Sequence, residues 1–168
     1  MRIIVPIKQV PQSSDVKMDP VTGTMIRSGS VSVLNPLDLY AIETALRLKE
    51  EWNATVTVIT MGPAGANRIL KEALSMGCDE AVHLSAREFS GSDTYATSYI
   101  LSKAIRKIGD VDLIITGERA TDGDTAQVGP GIAAWLDIPV VSYVASVDIT
   151  SPSEFTAERL IEEGYQQV

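Results

Sequence analysis

Residues 111–130 read V-D-L-I-I-T-G-E-R-A-T-D-G-D-T-A-Q-V-G-P. The apolar run at 111–116 is typical of a buried parallel strand, and a helix can extend from Gln127 to Leu136. A loop that joins a strand to a helix in this way leaves backbone N–H groups unpaired at the start of the helix. Those groups and the helix dipole attract anions, phosphate above all. The segment therefore predicts a nucleotide phosphate site at the end of this strand.

The side chains of this loop suggest how it would work. Gly117 and Gly123 can take a positive φ and let a ligand approach the backbone. Asp122, Asp124 and Thr125 can cap the following helix, bind ribose hydroxyls or bind a metal ion. The alternative is a capped turn that binds nothing, because Gly- and Asp-rich turns are common between elements. The loop matches neither G-x-G-x-x-G nor G-x-x-x-x-G-K-[ST], which argues against the common dinucleotide and P-loop sites.

The whole chain alternates strands with helices. Composition and periodicity predict strands near 2–10, 54–60, 80–85, 111–116 and 140–147, and helices near 36–52, 66–76, 95–108 and 127–136. This alternation predicts right-handed βαβ crossovers. We therefore expect one α/β domain over 1–168, with three α/β/α layers around a mostly parallel, doubly wound, Rossmann-like sheet. Residues 156–168 predict a short C-terminal hairpin.

Local signals place the boundaries of these elements. Pro6 is expected to end the first strand, because proline cannot donate to a sheet ladder. Lys8 follows it, just beyond the strand, where open α/β sheets place ligands. Asn35 and Asp93 suit the N-caps of two helices, and Pro36 suits a first helical position.

Two further expectations concern packing and the long loop. The apolar faces of the first two helices are predicted to include Leu39 and Leu74. Residues 11–33 show no helical period, and a small hairpin is expected around 24–27.

Composition excludes several classes of function. The net charge of −8 argues against a nucleic-acid backbone as the main partner. A single cysteine, Cys78, excludes an intramolecular disulfide and a cysteine-based zinc site. The single histidine, His83, leaves no support for a catalytic triad, so we assign no catalytic residue and no metal ligand.

The chain shows no targeting signal. The N-terminus lacks a signal peptide, and the apolar stretch at 133–147 is interrupted and too short to cross a bilayer. We expect a soluble, cytoplasmic protein without membrane insertion.

Four stretches resemble the β subunit of electron transfer flavoprotein, a family that includes FixA-type proteins. They are V-P-I-K-Q-V-P at 5–11, N-P-L-D at 35–38 with E-T-A and L-K at 43–49, T-M-G-P at 60–63, and residues 112–130. The resemblance covers essentially the whole chain. It implies an adenine-nucleotide-hydrolase-like α/β/α fold that has no catalytic side chains of its own and binds AMP or, in electron-bifurcating members, FAD.

The same resemblance implies a nucleotide site at the positions that match the family's motifs. These positions are Pro6, Asn35, Pro36, Leu37, Asp38, Met61, Gly117, Glu118, Arg119, Ala120, Thr121, Asp122, Gly123, Asp124, Thr125, Ala126, Gln127 and Val128, with Thr94 and Thr97 as further candidates.

The resemblance also implies partners. The chain would pair with an FAD-carrying α subunit and shuttle electrons between dehydrogenases, such as acyl-CoA dehydrogenase, and other redox carriers. The run at 121–130 looks more like the bifurcating branch, in which NADH is the electron donor and a ferredoxin or flavodoxin is a second acceptor. Family β subunits continue well past Val168, and the additional part docks on the dehydrogenase and embraces the α subunit. We therefore expect this chain to be a fragment that keeps the nucleotide-binding fold.

Two other classes share this type of fold. A universal-stress-type regulator that binds ATP or AMP would show G-x-x-G-x₇-G-[ST] late in the chain, and an adenylating enzyme would show S-G-G-x-D-S after the first strand. Neither motif is present. The regulator remains the alternative function.

Overall fold

The computed structural model of the chain describes residues 1–12, 19–21, 32–151 and 154–168. The hairpin expected around 24–27 lies outside these residues. The strands are β1 (Arg2–Pro6), β2 (Gln9–Pro11), β3 (Ser32–Leu34), β4 (Thr55–Met61), β5 (Glu80–Leu84), β6 (Leu113–Ile114), β7 (Val144–Ser151), β8 (Glu154–Ile161) and β9 (Gly164–Gln167). The α-helices are α1 (Pro36–Trp52), α2 (Asn67–Met76), α3 (Thr94–Ile108) and α4 (Val128–Leu136), with short 3₁₀ helices at Ala64–Ala66 and Arg87–Phe89.

A parallel sheet forms the centre of the molecule, with strand order β5-β4-β1-β6. β1 lies between two neighbours, and its residues Ile3, Ile4 and Val5 are fully buried. A continuous apolar strand of this kind is stable only when helices cover both faces of the sheet. After β1 the chain passes through β4 and β5 on one side and then returns to β6 on the other. The direction of winding therefore reverses between β1 and β6.

Helices cover both faces of this sheet. On one face α1 and α2 pack against alternate side chains of β1 and β4, including Ile3, Val5 and Val58. On the other face α3 and α4 pack against Ile4 and Ile59. Side chains of successive strand residues point to opposite faces, so the two apolar clusters share the same strands. The predicted three-layer α/β/α architecture is confirmed.

The first strand ends at Pro6, as expected. The next N–H, of Ile7, donates to Ile59 O at 2.9 Å, which is the last bond between β1 and β4 before the chain leaves the sheet. Residues 9–11 then pair antiparallel with 32–34 in a separate two-stranded sheet. The run predicted as one strand at 2–10 is therefore two strands in two sheets.

Several helix ends agree with their sequence signals. The Asp93 carboxylate accepts the Ala96 N–H at 2.8 Å and caps α3. Asn53 ends α1 with φ of 49°, and Gly77 ends α2 with φ of 121°. Such left-handed or positive-φ residues stop a helix because they turn the chain out of its axis.

Two side chains expected in the core are exposed. Leu39 is 38% exposed and Leu74 is 39% exposed. In α1 the buried stripe is Asp38, Ala41, Ile42, Ala45 and Leu48. Each residue turns the helix by about 100°, so Leu39, one position beyond Asp38, points away from the sheet. Asp38 therefore occupies the inward position that the apolar pattern predicted for Leu39.

The strand predicted at 140–147 is present only in its second half, as part of β7, and the place in the parallel sheet that the alternation predicted for it is wrong. Tyr143 has φ of 59°, a left-handed conformation that breaks an extended strand, and β7 begins only at Val144. β7 pairs antiparallel with β8, and β8 with β9, in a separate three-stranded sheet. The C-terminal hairpin is confirmed as β8–β9, and β7 joins that hairpin because its pairing partner lies next to it along the chain. Among the helices described, none combines the length and the apolar composition needed to cross a membrane.

The contact between α3 and α4 depends on a glycine. A Cβ added at Gly131 would lie 2.7 Å from Ser98 Oγ and 2.8 Å from Ser98 Cβ. We expect Gly131→Ala to destabilise the chain by about 1–3 kcal/mol, because overpacking outweighs the gain of about 0.5–1 kcal/mol for alanine over glycine in a helix.

Urea denaturation measures this change, and Gly65→Ala is the matched control because a Cβ at Gly65 meets no atom within 4 Å. The control should be as stable as the wild type or slightly more stable. Equal stability of the two variants would contradict the close contact.

Candidate functional site

The predicted site residues gather at the carboxyl edge of the parallel sheet. Pro6 ends β1, Met61 ends β4, and the loop at 115–127 follows β6. The loop lies beside the gap between β1 and β6, where the winding direction reverses. Open α/β sheets bind ligands at such a point, because the crossovers diverge there and leave a crevice.

A buried asparagine holds this loop. Asn35 is 1% exposed, and its Nδ2 donates to Asp38 Oδ1 and to Arg119 O, both at 2.9 Å. Its Oδ1 accepts the Thr121 N–H at 3.3 Å. Asn35 occupies the N-cap position of α1, as predicted, but its side chain makes no capping bond. Its amide bridges to the loop instead.

A buried carboxylate lies beside this amide. Asp38 is 6% exposed, and its Oδ2 accepts the Lys8 N–H at 2.7 Å. Burial raises the pKa of Asp38 to about 6, although the hydrogen bonds from Asn35 and Lys8 and the charge of Lys8 lower it. At neutral pH the group is therefore ionised at an energetic cost, which its partners only partly offset.

An ion pair connects the loop to the exit of β1. Lys8 Nζ lies 2.6 Å from Asp122 Oδ1, and the Asp122 side chain is 5% exposed while that of Lys8 is 44% exposed. Further along the loop, Arg119 Nε lies 3.0 Å from Asp124 Oδ1 at the surface. The half-buried Lys8–Asp122 pair contributes more to the shape of the loop than the exposed Arg119–Asp124 pair, which solvent screens.

The proposed capping role of the loop carboxylates is wrong. Gln127 occupies the N-cap position of α4, and no side chain caps that helix. Asp122 pairs with Lys8 and Asp124 with Arg119, and both precede the first turn of α4 by several residues. The structure therefore does not form a turn in which these side chains cap α4. The first N–H groups of α4 start the helix without a side-chain acceptor.

The loop glycines differ from expectation. Neither Gly117 nor Gly123 has a positive φ; Asp124 and Ala126 take the left-handed conformation instead, with φ of 55° and 53°. Gly117 serves close approach, because an added Cβ would overlap Asp38 Oδ1 and lie 3.0 Å from the Leu37 carbonyl. A Cβ at Gly123 would meet no atom within 4 Å.

Other predicted residues lie in a neighbouring cleft or along the edge of the sheet. Thr94 Oγ1 donates to Gln127 Oε1 at 3.0 Å. These two side chains line a cleft of about 430 Å³ between α3 and α4, together with Tyr95, Ser98, Gly131, Ala134 and Trp135. Thr97 lies within α3, one turn after Asp93, and Met61 packs against the apolar cluster under α3 and α4. Pro36, Glu118 and Thr125 are exposed, and Leu37, Ala120, Ala126 and Val128 are half-buried.

Sequence reasoning missed two parts of this region. The sequence indicated Lys8 only by its position after the first strand and did not predict its ion pair with Asp122. The sequence also did not predict the aromatic contacts at the cleft. Tyr95 and Tyr99 each meet Trp135 edge-on, with ring centroids 5.0 Å apart. Those contacts depend on how α3 and α4 pack.

The other reactive side chains have structural surroundings. His83 Nε2 lies 3.2 Å from Gly62 O at the edge of the sheet. Burial raises the pKa of Cys78 to about 11, so this group stays a thiol and is a poor nucleophile. In the ranges described, no three His, Cys, Asp or Glu side chains lie close enough together to hold a metal ion.

The residues at this edge fit a nucleotide. Thr60 Oγ1, near the carboxyl end of β4, is buried, and no partner for it lies among the described atoms. The uncapped start of α4 and the ammonium of Lys8 add donors that suit a phosphate. These groups would bind and orient an anion, and the chemistry of any redox reaction would have to come from a bound cofactor.

Comparison with known proteins adds a second line of argument. A family model described as "Electron transfer flavoprotein domain" matches residues 22–168. The "Electron transfer flavoprotein subunit beta" of Thermoanaerobacterium thermosaccharolyticum is 52% identical over 166 residues, which cover 99% of this chain and 63% of that relative. "Protein FixA" of Azotobacter vinelandii is 51% identical over 171 residues, covering 99% and 61%.

A third relative is named for a complex. The "Caffeyl-CoA reductase-Etf complex subunit CarD" of Acetobacterium woodii is 50% identical over 169 residues, covering 100% of this chain and 64% of that relative. The chain thus spans a little over three fifths of the length of the curated relatives it matches.

The raised pKa of Asp38 predicts a pH-dependent stability. The native state binds this proton more tightly than the unfolded chain, where the pKa returns to 3.8. Protonated Asp38 therefore stabilises the native state relative to its ionised form. This stabilisation is fully present below about pH 4 and is lost as the pH rises through about 6, by an amount on the order of 2–3 kcal/mol.

Asp38→Asn does not titrate, so the stability of the wild type relative to this variant should fall between about pH 4 and about pH 6 and stay constant above about pH 7. Urea unfolding of both chains across this range measures the difference. A difference that is independent of pH would show that Asp38 is not a destabilised buried carboxylate.

Proposed function

The chain belongs to the electron transfer flavoprotein family, in its β-subunit and FixA type, and on this premise we propose that it binds AMP or FAD at the loop between β6 and α4. The observation that carries the proposal is the position of this loop at the point where the winding of the sheet reverses. The uncapped start of α4 and the ammonium of Lys8 support a phosphate there. The open space beside Gly123 supports room for a ligand.

Residues 1–168 act as one nucleotide-binding domain in this proposal. Ile149 of β7 and Phe155 of β8 pack against the same apolar cluster as Ile3 and Val5 of the central sheet. This shared cluster supports one domain in which the C-terminal strands and the central sheet have a common core.

Electron transfer is the proposed activity of the whole protein. An FAD-carrying α subunit is the expected partner, since relatives are named as β subunits. With that partner the chain shuttles electrons between dehydrogenases, such as acyl-CoA dehydrogenase, and other redox carriers. When FAD is bound, it supplies the two-electron redox chemistry, and the residues of this chain hold and orient it. A buried Cys78 thiol suits the reducing cytoplasm, which is the proposed compartment.

NADH-dependent bifurcation to a ferredoxin or flavodoxin is the finer proposal. It is supported by the run D-G-D-T-A-Q-V-G-P at 122–130 and by the similarity to CarD of the caffeyl-CoA reductase-Etf complex. The universal-stress-type regulator finds no support, because the relatives named above are electron transfer proteins or FixA.

The identity of the nucleotide decides between the two branches. We expect the chain, purified with its α subunit, to carry a tightly bound nucleotide that heat denaturation releases. Absorption spectra and chromatography of the released fraction measure it. Two flavins per heterodimer support bifurcation, and one flavin with one AMP excludes it. A heterodimer whose β subunit releases no nucleotide would contradict the proposed function.

The position of the site can be tested by substitution in the loop. Asp124 and Thr125 are exposed side chains of the loop. We expect Asp124→Ala with Thr125→Ala to weaken AMP binding by about tenfold or more, because each hydrogen bond to a charged or polar ligand group contributes about 1–3 kcal/mol.

Calorimetric titration with AMP measures this loss. The matched control is Glu162→Ala with Glu163→Ala, which removes two exposed polar side chains from the β8–β9 turn. The control should bind AMP like the wild type, and both variants should remain folded. Equal AMP affinity of the loop variant and the control would refute the placement of the site.

A further inference from the structure

Asn35 has no free N–H with which to bind a ligand. Both N–H donors of its amide are used inside the protein, one by Asp38 Oδ1 and one by Arg119 O. Its oxygen accepts the Thr121 N–H, and the residue is 1% exposed. A residue in this state cannot reach a nucleotide with its side chain, although the resemblance implied a nucleotide contact at this position.

Asp38 is also buried and hydrogen-bonded within the protein. Each of its carboxylate oxygens accepts one N–H, from the Asn35 side chain and from the Lys8 backbone. Gly117 lies so close that a Cβ there would overlap Asp38 Oδ1. The pair Asn35–Asp38 thus joins three segments of the chain: the exit of β1, the start of α1 and the loop after β6.

We propose that Asn35 and Asp38 are positioning residues for the nucleotide site: they fix the loop at 117–122 in its binding conformation without touching the ligand. This inference rests on the proposed function only for the identity of the ligand. The loop's remaining part, 123–127, is then free to face the nucleotide, while Arg119 O and Thr121 N are held from behind.

The chemistry of an asparagine is required at position 35. Its environment presents two acceptors, Asp38 and Arg119 O, and one donor, the Thr121 N–H. Only an amide supplies two donors and an acceptor from one short side chain. The reversed amide would place its oxygen against the carboxylate and the carbonyl, so the neighbours fix its orientation. An aspartate at position 35 would put a second buried carboxylate beside Asp38.

The cations near Asn35 and Asp38 are paired with other carboxylates. The Lys8 ammonium is paired with Asp122, and the Arg119 guanidinium is paired with Asp124 and lies 3.8 Å from Glu118. Neither cation forms an ion pair with Asp38 among the described contacts. The neutral amide and the Lys8 backbone N–H are its hydrogen-bond donors.

The test compares four full-length chains: wild type, Asn35→Asp, the exchange variant Asn35→Asp with Asp38→Asn, and Ile69→Ala. The exchange variant restores one charged and one neutral partner. Ile69→Ala is the control for lost stability, because Ile69 is buried in α2 on the core cluster and not in the loop. AMP is the probe, since it is the part that AMP and FAD share. Circular dichroism checks that each variant is folded.

Two quantities are measured: the AMP dissociation constant by calorimetry, and the exchange rate of the Thr121 amide hydrogen in the nucleotide-free chain by NMR. We expect Asn35→Asp to weaken AMP binding by about tenfold or more and to speed Thr121 exchange by a similar factor, because the loop loses buried hydrogen bonds. The exchange variant should recover part of both losses. Ile69→Ala should bind AMP like the wild type.

Several results would overturn the proposal. One is wild-type AMP affinity and slow Thr121 exchange in Asn35→Asp; another is an equal loss of AMP affinity in the stability control Ile69→Ala. Weaker AMP binding with unchanged Thr121 exchange would instead indicate that Asn35 contacts the ligand directly. If the wild type binds neither AMP nor FAD, the proposed function fails, and the Thr121 exchange rates still decide whether the pair holds the loop.

Discussion

A buried carboxylate is the constraint on which the carboxyl edge of the sheet, with its proposed nucleotide site, depends. Transfer of a charge out of water is unfavourable unless hydrogen bonds and opposite charges replace the lost solvent. Asp38 is 6% exposed and is compensated by the Asn35 amide, the Lys8 N–H and the nearby charge of Lys8. These groups come from different segments of the chain. The segments must therefore stay together, since the departure of any one would leave the charge without its full set of partners.

The central sheet provides the rigid frame for this arrangement. β1 is covered by helices on both faces and by strands on both edges, so its carboxyl end is fixed. The crossovers that leave β1 and β6 diverge to opposite faces of the sheet, and the loop after β6 occupies the space between them. The Lys8–Asp122 pair, 114 residues apart in sequence, closes this space from the side of β1.

Two glycines near the site are needed because they lack a Cβ and so allow close approach, and not because they adopt a positive φ. Gly117 makes room for Asp38 and Leu37, and Gly131 makes room for Ser98 where α3 meets α4. The sequence shows that a glycine is present but not which of its two properties is used, its conformational freedom or its missing Cβ. The positive φ expected at Gly117 and Gly123 lies instead at Asp124 and Ala126.

The sequence by itself determined the alternation of the four parallel strands with helices, the α/β class, the Asp93 cap and the C-terminal hairpin, because periodicity, capping and turn signals act over a few neighbouring residues. The tertiary structure alone decided the partner of β7, the inward position of Asp38 in place of Leu39, and the bridging role of Asn35. The last two depend on residues far apart in the chain, whereas β7 pairs with its neighbour β8. The loop at 115–127 was predicted from its own residues. Its hydrogen bonds to Asn35 were not, because that residue lies more than 80 positions earlier in the chain.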